Sequence, residues 1–193
     1  YENGNGTWFY DEILQTALQQ NYNVSVAGGG ENSTYMISLG HYDQESNFVG
    51  GNYGIQRYNI RSNLTTEYKN FKITALLAYT RNNNLAPEGN LENNASRIPN
   101  YYYYKQKDPA TGKYLVNDLI NDTTPLGMLE QGGFNKYRND YVNASVALDY
   151  KIIDGLKIKG VLGADIFSDS RYTRRLQFNF YDYRDLNTPK PTN

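Results

Sequence analysis

The sequence predicts an all-β fold, in which about six antiparallel, up-and-down strands form a segment of a transmembrane β-barrel. Segments of about ten residues alternate apolar and polar side chains, as strands with two unlike faces do. Short and long connections alternate between these segments. The composition combines 15% aromatic residues, 20 of them tyrosine, with a mean hydropathy of -0.74. That composition favours extended sheets over a thick aliphatic core.

The clearest element is a hairpin over residues 21–44. Tyr22–Val26 alternates apolar and polar positions, and Tyr35–His41 repeats the pattern after a turn at Gly28–Gly30. Glycine allows the chain to reverse there without a Cβ clash. The alternation therefore predicts two antiparallel strands with one apolar, aromatic face and one small, polar face.

Four further strands repeat the two-faced pattern. They are predicted at residues 56–68, at 71–80, at about 139–152 and from Leu156 through Ile166, and residues 168–184 keep a strand-like composition. In the fourth strand, Phe71 and Tyr79 lie near the ends of the apolar face, with aliphatic residues between them. This order is typical of the aromatic belts at the two membrane interfaces.

The connections predict the organisation of the chain. Residues 45–55 and 81–138 form long connections, and the second would be unusual in a compact soluble domain but is expected in a membrane barrel. Since the smallest such barrels have about eight strands, this hypothesis requires further strands. The predicted divisions are a connection with a short helix or turn over 1–20, a partial barrel over 21–184 and a loop or tail over 185–193.

The polar face is predicted to face a water-filled lumen, because its residues are unlike those of an ordinary protein surface. Asparagine, serine, threonine and glycine dominate it, with scattered charges. The candidate lumen-facing residues are Arg57, Asn59, Arg61, Asn63, Lys72, Asn143 and Asp149.

The sequence gives little support for nucleic-acid binding, a metal site or catalysis. The net charge of -1 gives no basic patch for nucleic acid, and the chain has one histidine, His41, and no cysteine to form a metal site. No carboxylate pair suggests a catalytic cleft, so we predict neither an enzyme nor a cofactor.

Four consecutive tyrosines in the long loop are the candidates for a contact site. Aromatic rings with hydroxyl groups can stack on sugars or pack against a partner protein. Three roles remain open for them, namely ligand contact, partner contact and packing within the loop itself. The four candidates are Tyr101, Tyr102, Tyr103 and Tyr104.

Several segments together carry a more specific pattern: Trp8–Thr16, Gln20–Gly29, Thr34–Glu45, Arg57–Leu64 and Tyr150–Lys157. In these residues the chain resembles the SusC/RagA family of TonB-dependent outer-membrane transporters of the Bacteroidetes. The resemblance covers about residues 8–167 and is strongest over the first third. It implies that residues 1–20 connect an N-terminal plug to the first strands of a 22-stranded barrel.

The resemblance further implies a function for the whole assembly. Such transporters import glycan or peptide fragments across the outer membrane with a SusD-like surface lipoprotein, and TonB energises them through an N-terminal part of the chain. The long loop would then dock the lipoprotein, and outer-membrane lipid would surround the barrel. The alternative is a soluble, secreted β-sandwich, a glycan-binding or adhesin module whose apolar face packs against a second sheet.

Overall fold

A computed structural model describes residues 12–89, 91, 105–116 and 125–191 of the chain. Its elements, in chain order, are β1 (Gln19–Gly29), β2 (Ser33–Glu45), β3 (Gly54–Tyr68), β4 (Phe71–Pro87), β5 (Tyr114–Val116), α1 (Pro125–Gln131), β6 (Gly133–Ile153), β7 (Leu156–Arg175), β8 (Asn179–Asp182) and β9 (Asp185–Pro191). In the described part of the chain, no helix is long and apolar enough to span a membrane.

Six strands form one antiparallel sheet in the order β1-β2-β3-β4-β6-β7, so each strand pairs with the next along this meander. This confirms the predicted all-β, up-and-down architecture. Within the described residues the sheet is open, with β1 at one edge and β7 at the other. A second sheet has only three short strands, β5, β8 and β9.

The strands around the long connection are longer than the alternation predicts. β4 continues to Pro87 and β6 begins at Gly133, where these strands still pair, so the connection is shorter than residues 81–138. The sequence conceals this extension because Asn82–Asn84 is polar on both faces of the strand. Hydrogen bonding between the backbones, not a two-faced pattern, maintains this part of the sheet.

The register brings the apolar positions of all six strands to one face, because directly opposed residues of an antiparallel pair lie on the same side. One row across the sheet contains Val24, Leu39, Ile60, Tyr79, Val142 and Ile166. We call this side of the sheet the apolar face and the other side the polar face.

The three short turns, at residues 30–32, 69–70 and 154–155, are displaced from one another along the strand direction. The second turn lies about two residues beyond the first along the β2–β3 pairing, and the third about three residues beyond the second along the β4–β6 pairing. Steps of about 7–10 Å over two strand spacings of about 9.6 Å correspond to a slope of roughly 35–45°. If the three turns lie at one level, the strands must be tilted from the perpendicular to that level by the same angle. Strands of membrane barrels have this tilt relative to the barrel axis.

The buried apolar residues lie at the other end of the sheet, among the long connections. Ile13, Tyr53, Leu91, Leu126 and Leu129 form a core there. Partly buried side chains pack around it, among them Phe48, Val49, Leu85, Tyr114, Met128 and Phe134. We call this assembly of residues 12–18, 46–53, 88–132 and 176–191, so far as they are described, the loop cluster.

Candidate membrane and channel faces

The apolar face carries a band of aliphatic side chains with aromatic rings at its two ends. At the short-turn end, the rings of Phe71 and Tyr150 stack with centroids 4.6 Å apart. At the other end His41 lies between Tyr22 and Tyr58, at centroid distances of 6.3 Å and 4.8 Å. His41 is therefore one member of an aromatic row on the apolar face. We call the surface between these rows the apolar band.

The height of the apolar band matches that of a membrane. From Phe71 to Arg81, the first charged residue beyond the band on β4, the strand advances ten residues, or about 34 Å. At a tilt of about 35–45°, this length corresponds to roughly 24–28 Å along a barrel axis. The lipid-facing band of outer-membrane barrels is about 25 Å tall. The band thus has the dimensions of a lipid-facing surface.

All seven predicted lumen-facing residues lie together on the polar face. Pairing across the sheet aligns Arg61 with Asn143 through Ala78, and Lys72 with Asp149. The remaining members, Arg57, Asn59 and Asn63, share the face by alternation along β3.

Short polar contacts link this face across strands. Lys72 Nζ lies 2.8 Å from Glu67 Oε1, Thr80 Oγ1 donates to Asn59 Oδ1 at 3.0 Å, and Asn143 Nδ2 donates to Asp165. The Arg57 guanidinium lies over the Tyr42 ring, 4.9 Å from its centroid. These contacts brace the polar face across neighbouring strands.

The polar face also carries an aromatic pair that sequence reasoning missed. Tyr141 and Phe167 are directly opposed, with ring centroids 4.8 Å apart, and they share the row of Thr80 and Asn59. Their residue types suggest the membrane interface. The available signal was the spacing of Tyr141 from Asn143, which puts both on one side of β6.

Tyr53 and Gln106 hold the loop cluster together. The Tyr53 hydroxyl donates to the Leu129 carbonyl at 2.8 Å, and burial raises the pKa of this phenol above its ordinary value. Gln106 is fully buried, and its side-chain oxygen accepts from the Leu126 amide at 2.9 Å. The backbone amide of Gln106 donates to Glu12 Oε2 at 3.2 Å. These bonds connect segments that are distant in sequence.

Charged pairs fasten the loop cluster further. Arg175 donates from two nitrogens to Glu88 Oε1, at 2.9 Å and 2.5 Å. Lys107 Nζ lies 2.6 Å from Glu130 Oε2. Partial burial acts to raise the pKa of Glu130, but hydrogen bonds from Lys107 and Tyr114 outweigh it and hold that pKa below its ordinary value.

The start of the described chain lies in the loop cluster as well. The Val49 amide donates to the Ile13 carbonyl at 2.9 Å, and the Gln15 amide donates to the Asn47 carbonyl at 2.7 Å. Residues 12–18 of the predicted connection therefore lie beside the long connections, and β1 runs from there toward the short turns. Among the described residues, no group of three or more histidine, aspartate or glutamate side chains could hold a metal ion.

The predicted tyrosine contact site falls in a different part of the long loop. Its four candidates lie outside the residues that the structure describes: Tyr101, Tyr102, Tyr103 and Tyr104. The described chain resumes at Lys105, next to the buried Gln106 of the loop cluster. Their role in ligand contact, partner contact or loop packing stays a prediction.

The sequence is similar to those of two TonB-dependent receptors. The chain is 27% identical over 201 aligned positions to the TonB-dependent receptor SusC of Bacteroides thetaiotaomicron, covering 90% of the chain and 19% of that receptor. It is 26% identical over 169 positions to the TonB-dependent receptor P3 of Formosa agariphila, covering 81% of the chain and 16% of that receptor. No family model matches the sequence.

The structure is similar to that of the RagAB peptide importer in its closed-closed state, with a TM-score of 0.66 over 91% of the chain. The predicted resemblance to the SusC/RagA family is confirmed. At 19% identity the structural match shows the fold alone, that of a barrel segment. The SusC-like chain spans less than a fifth of the length of the two receptors and a fifth of the matched structure.

Proposed function

We propose that this SusC-like segment forms six neighbouring strands in the wall of a TonB-dependent outer-membrane transporter. The observation that carries the proposal is the pairing of two unlike faces on one sheet. The apolar band has the height of a membrane, and the polar face behind it has cross-strand polar contacts. In this arrangement lipid covers the apolar face, the short turns lie in the periplasm and the loop cluster lies outside the cell.

The polar face would line or brace the channel and its plug. Arg57, Arg61 and Lys72 supply positive charge, and Asn59 and Asn143 supply amides that bond to either donors or acceptors. Such a wall suits the passage of hydrated fragments of glycans or peptides. We propose that TonB energises this passage through a part of the protein outside these residues, and that no catalytic step occurs.

The loop cluster would support a SusD-like surface lipoprotein. A docking platform must keep its shape without its partner, and the loop cluster has its own buried core and cross-links through Tyr53 and Gln106. We propose that the loop carrying the four consecutive tyrosines at positions 101–104 contacts the lipoprotein or the ligand. The connection over residues 1–20 leading from a plug to the barrel is likewise a proposal.

Single cysteines test the assignment of the faces, because the chain has no native cysteine. Spin labels at Leu77→Cys on the apolar face and at the adjacent Ala78→Cys on the polar face form a matched pair in the full-length protein in bilayers. We expect the label at 77 to collide with oxygen, which concentrates in lipid, and the label at 78 to collide with a water-soluble nickel chelate. A β-sandwich would instead shield position 77 from both, and this result would refute the transporter proposal.

Transport itself needs a separate measurement. Cells that produce the full-length protein would receive panels of fluorescent oligosaccharides and peptides, with and without depletion of TonB. We expect uptake of one class, lost when TonB is depleted. Uptake that does not depend on TonB, or none of either class by a correctly inserted protein, would contradict the proposed import.

A further inference from the structure

We propose that a cavity on the outward side of the wall, between the outer end of the sheet and the loop cluster, binds a neutral oligosaccharide outside the cell. This inference deepens the proposed function and rests on it, since it requires the loop cluster to lie outside the cell and names a glycan as the substrate class. The cavity is separate from the polar face that lines the channel. A site there would hold the sugar at the cell surface, beside the mouth of the channel.

The cavity lies where the six-stranded sheet meets the loop cluster. It has a volume of about 830 Å³ and is lined by the outer ends of β2, β3, β4 and β6, by Gln15 and Thr16, and by residues 51–53. Pockets that bind small ligands have volumes of about 300–1,000 Å³. The cavity is therefore large enough for a short oligosaccharide.

Alternation along the strands puts the cavity on the outward side of the sheet. Asp43 lies two residues beyond His41 on β2, and Asn83 lies two residues beyond Arg81 on β4. His41 belongs to the aromatic row of the apolar face, so Asp43 and Asn83 are on that face as well. Two residues correspond to about 7 Å along a strand. Both side chains therefore lie beyond the apolar band, on the side of the loop cluster.

Three planar polar side chains form a row across the floor of the cavity. Asp43 is directly opposed to Gln56, and Gln56 is directly opposed to Asn83. Directly opposed residues have Cβ atoms about 4.5–5.5 Å apart, so one carboxylate and two amides lie side by side. Among the described residues, none of these three side chains has a hydrogen bond or ion pair to a protein group. Their polar atoms are therefore available to a ligand.

This row matches the hydrogen-bonding groups of a sugar. Each hydroxyl of a pyranose ring donates one hydrogen bond and accepts up to two. A carboxylate accepts with two oxygens, and an amide offers a donor and an acceptor in one plane. Asp43, Gln56 and Asn83 can therefore each bond to two adjacent hydroxyls, and none of these bonds requires a charge on the ligand.

A glycine keeps the next row of the floor open. Glu45, Gly54 and Leu85 are directly opposed in this row. A Cβ at Gly54 would lie 2.3 Å from the Gln44 carbonyl oxygen, so no larger residue fits the backbone there. Because no side chain fills the space between Glu45 and Leu85, the cavity reaches the backbone of β3 at Gly54.

Two aromatic rings complete the lining. The Tyr53 hydroxyl donates to the Leu129 carbonyl within the loop cluster, so this residue offers its ring to the cavity. Phe134 of β6 also lines the cavity and packs against the core of the loop cluster. Aromatic rings present flat apolar surfaces. A sugar has both hydroxyls for the polar row and C–H faces that can stack on these rings.

The charges and the position of the cavity favour a neutral sugar over other ligands. Asp43 and Glu45 supply two carboxylates and Lys136 one ammonium group, so an anionic sugar or a phosphate would meet a net negative charge. Extended peptides often bind by adding a strand to the edge of a sheet. The cavity is lined only by interior strands of the six-stranded sheet, and its edge strands β1 and β7 do not reach it.

The class of ligand is tested with the full-length protein in lipid nanodiscs. Isothermal titration calorimetry would use neutral hexasaccharides of glucose, mannose, xylose and N-acetylglucosamine, with hexagalacturonate as an acidic probe and hexaalanine as a peptide probe. We expect at least one neutral sugar to bind with a Kd below about 1 mM, and the acidic and peptide probes not to bind. No binding of a neutral sugar, or tighter binding of either other probe, would overturn the proposal.

Adjacent asparagines on β4 provide a matched pair of variants. Asn83→Leu removes one member of the polar row, whereas Asn82→Leu makes the same change on the opposite face of the strand. We expect Asn83→Leu to weaken binding of the tightest neutral hexasaccharide about fivefold, and Asn82→Leu to change it less than about twofold. Gln56→Trp, which fills the cavity from β3, should weaken binding about 30-fold. Equal effects at positions 82 and 83, or unchanged binding by Gln56→Trp, would contradict the site.

A photoreactive derivative locates the bound sugar directly. The tightest neutral hexasaccharide would carry a diazirine group, and mass spectrometry would map its cross-links to the wild-type protein. We expect cross-links to residues 43–45, 51–56, 83–85 and 134–136. Cross-links only to residues of the polar face, such as Asn59 or Asn143, would place the sugar in the channel and refute the outward site.

Insertion in the outer membrane is checked first for the wild type and for every variant. Absence of the wild-type protein from that membrane would refute the proposed function. Correct insertion without binding of a neutral sugar, or with binding in the channel alone, would refute only this inference.

Discussion

The apolar band and the loop cluster are both rich in apolar side chains, but they differ in what covers them. Leu39 is 53% exposed and Leu162 is 82% exposed in the band, whereas Ile13 and Leu129 in the loop cluster are 0% and 1% exposed. The loop cluster has the enclosed core of a water-soluble domain. In the described residues no second sheet covers the band. One chain thus carries two regions suited to different solvents.

This difference implies different sources of stability. Burial of apolar surface stabilises the loop cluster in water at roughly 25 cal/mol per Å² removed from solvent. The band gains nothing from such burial within the sheet, and its strands are held by backbone pairing from β1 to β7. In lipid the same exposed side chains carry no penalty, while every unpaired backbone group would. Different kinds of substitution should therefore destabilise the two regions, namely charges on the band and changes of packing or hydrogen bonding in the loop cluster.

The largest effect is expected from a charge placed on the apolar band. Val146→Arg puts a guanidinium on its face near mid-band, while Ser145→Arg, one residue away, puts it on the polar face. We expect Val146→Arg to lower the free energy of unfolding by about 2–4 kcal/mol, the cost of arginine near the bilayer midplane. Ser145→Arg should cost less than about 1 kcal/mol, since that side chain reaches water. Urea unfolding of the full-length protein in bilayers measures both, and equal losses would contradict the assignment of the faces.

Two glycines test the difference in packing. A Cβ on Gly127 would lie 2.8 Å from a Phe178 ring carbon and 2.9 Å from one of Phe180, whereas a Cβ on Gly160 in β7 would meet nothing within 4 Å. Overpacking costs about 1–3 kcal/mol, partly offset in a helix by the better propensity of alanine. We expect Gly127→Ala to destabilise the loop cluster by about 1 kcal/mol net.

The control, Gly160→Ala, should leave stability unchanged. Hydrogen exchange of residues 106–131 in the full-length protein would show faster opening for Gly127→Ala only. If both substitutions are neutral, the loop cluster is more plastic than its contacts indicate. If Gly160→Ala is the more disruptive, a protein surface rather than lipid packs against β7.

The apolar band could be predicted from sequence, because it depends on local alternation. Each strand shows its own two faces, so Leu39 and Leu77 are assigned without knowledge of their neighbours. The seven polar-face residues follow from the same alternation. Where alternation ends, prediction fails: the polar run Asn82–Asn84 conceals the outer part of β4. Tyr141 was overlooked because its residue type conflicts with its spacing.

The loop cluster could not be predicted, because its contacts join residues that are far apart in sequence. Tyr53 meets Leu129 across 76 positions, and Gln106 contacts Glu12 across 94. No periodic pattern in the sequence indicates such pairs. The position of a single tyrosine or glutamine in a loop depends on the fold that surrounds it. Sequence reasoning therefore finds the wall of the barrel more readily than the platform on its rim.

A smaller effect is expected at the central hydrogen bond of the loop cluster. Tyr53→Phe removes the donor to the Leu129 carbonyl and leaves a buried acceptor with one partner fewer. We expect a loss of about 1 kcal/mol in local stability, seen as faster hydrogen exchange near residues 125–133, with the six-stranded sheet unchanged. The exposed Tyr68→Phe, at the opposite end of the sheet, is the matched control. Equal exchange in both variants would show that this bond does not hold the cluster.

The smallest effect concerns the pair Lys107–Glu130. Their contact lowers the pKa of Glu130 below its ordinary 4.5, although burial opposes this, and it raises the pKa of Lys107 above its ordinary 10.5. The contribution of Glu130 to stability is therefore present above about pH 4.5 and lost as pH falls through its lowered pKa. That of Lys107 is present below about pH 10.5 and lost as pH rises through its raised pKa. The pair stabilises the cluster between these limits.

Both side chains of this pair are partly exposed, so we expect less than about 1 kcal/mol from it. Hydrogen exchange of residues 106–114, corrected for the intrinsic effect of pH, should accelerate a few-fold below about pH 4.5 in the wild type. Glu130→Gln should show the faster rate at about pH 7 and no further acid response, while Glu67→Gln at the short-turn end should behave as the wild type. An acid response that persists in Glu130→Gln would assign the pH dependence to another group. The loop cluster would then be held by its apolar core and by Tyr53, with the surface charges contributing little.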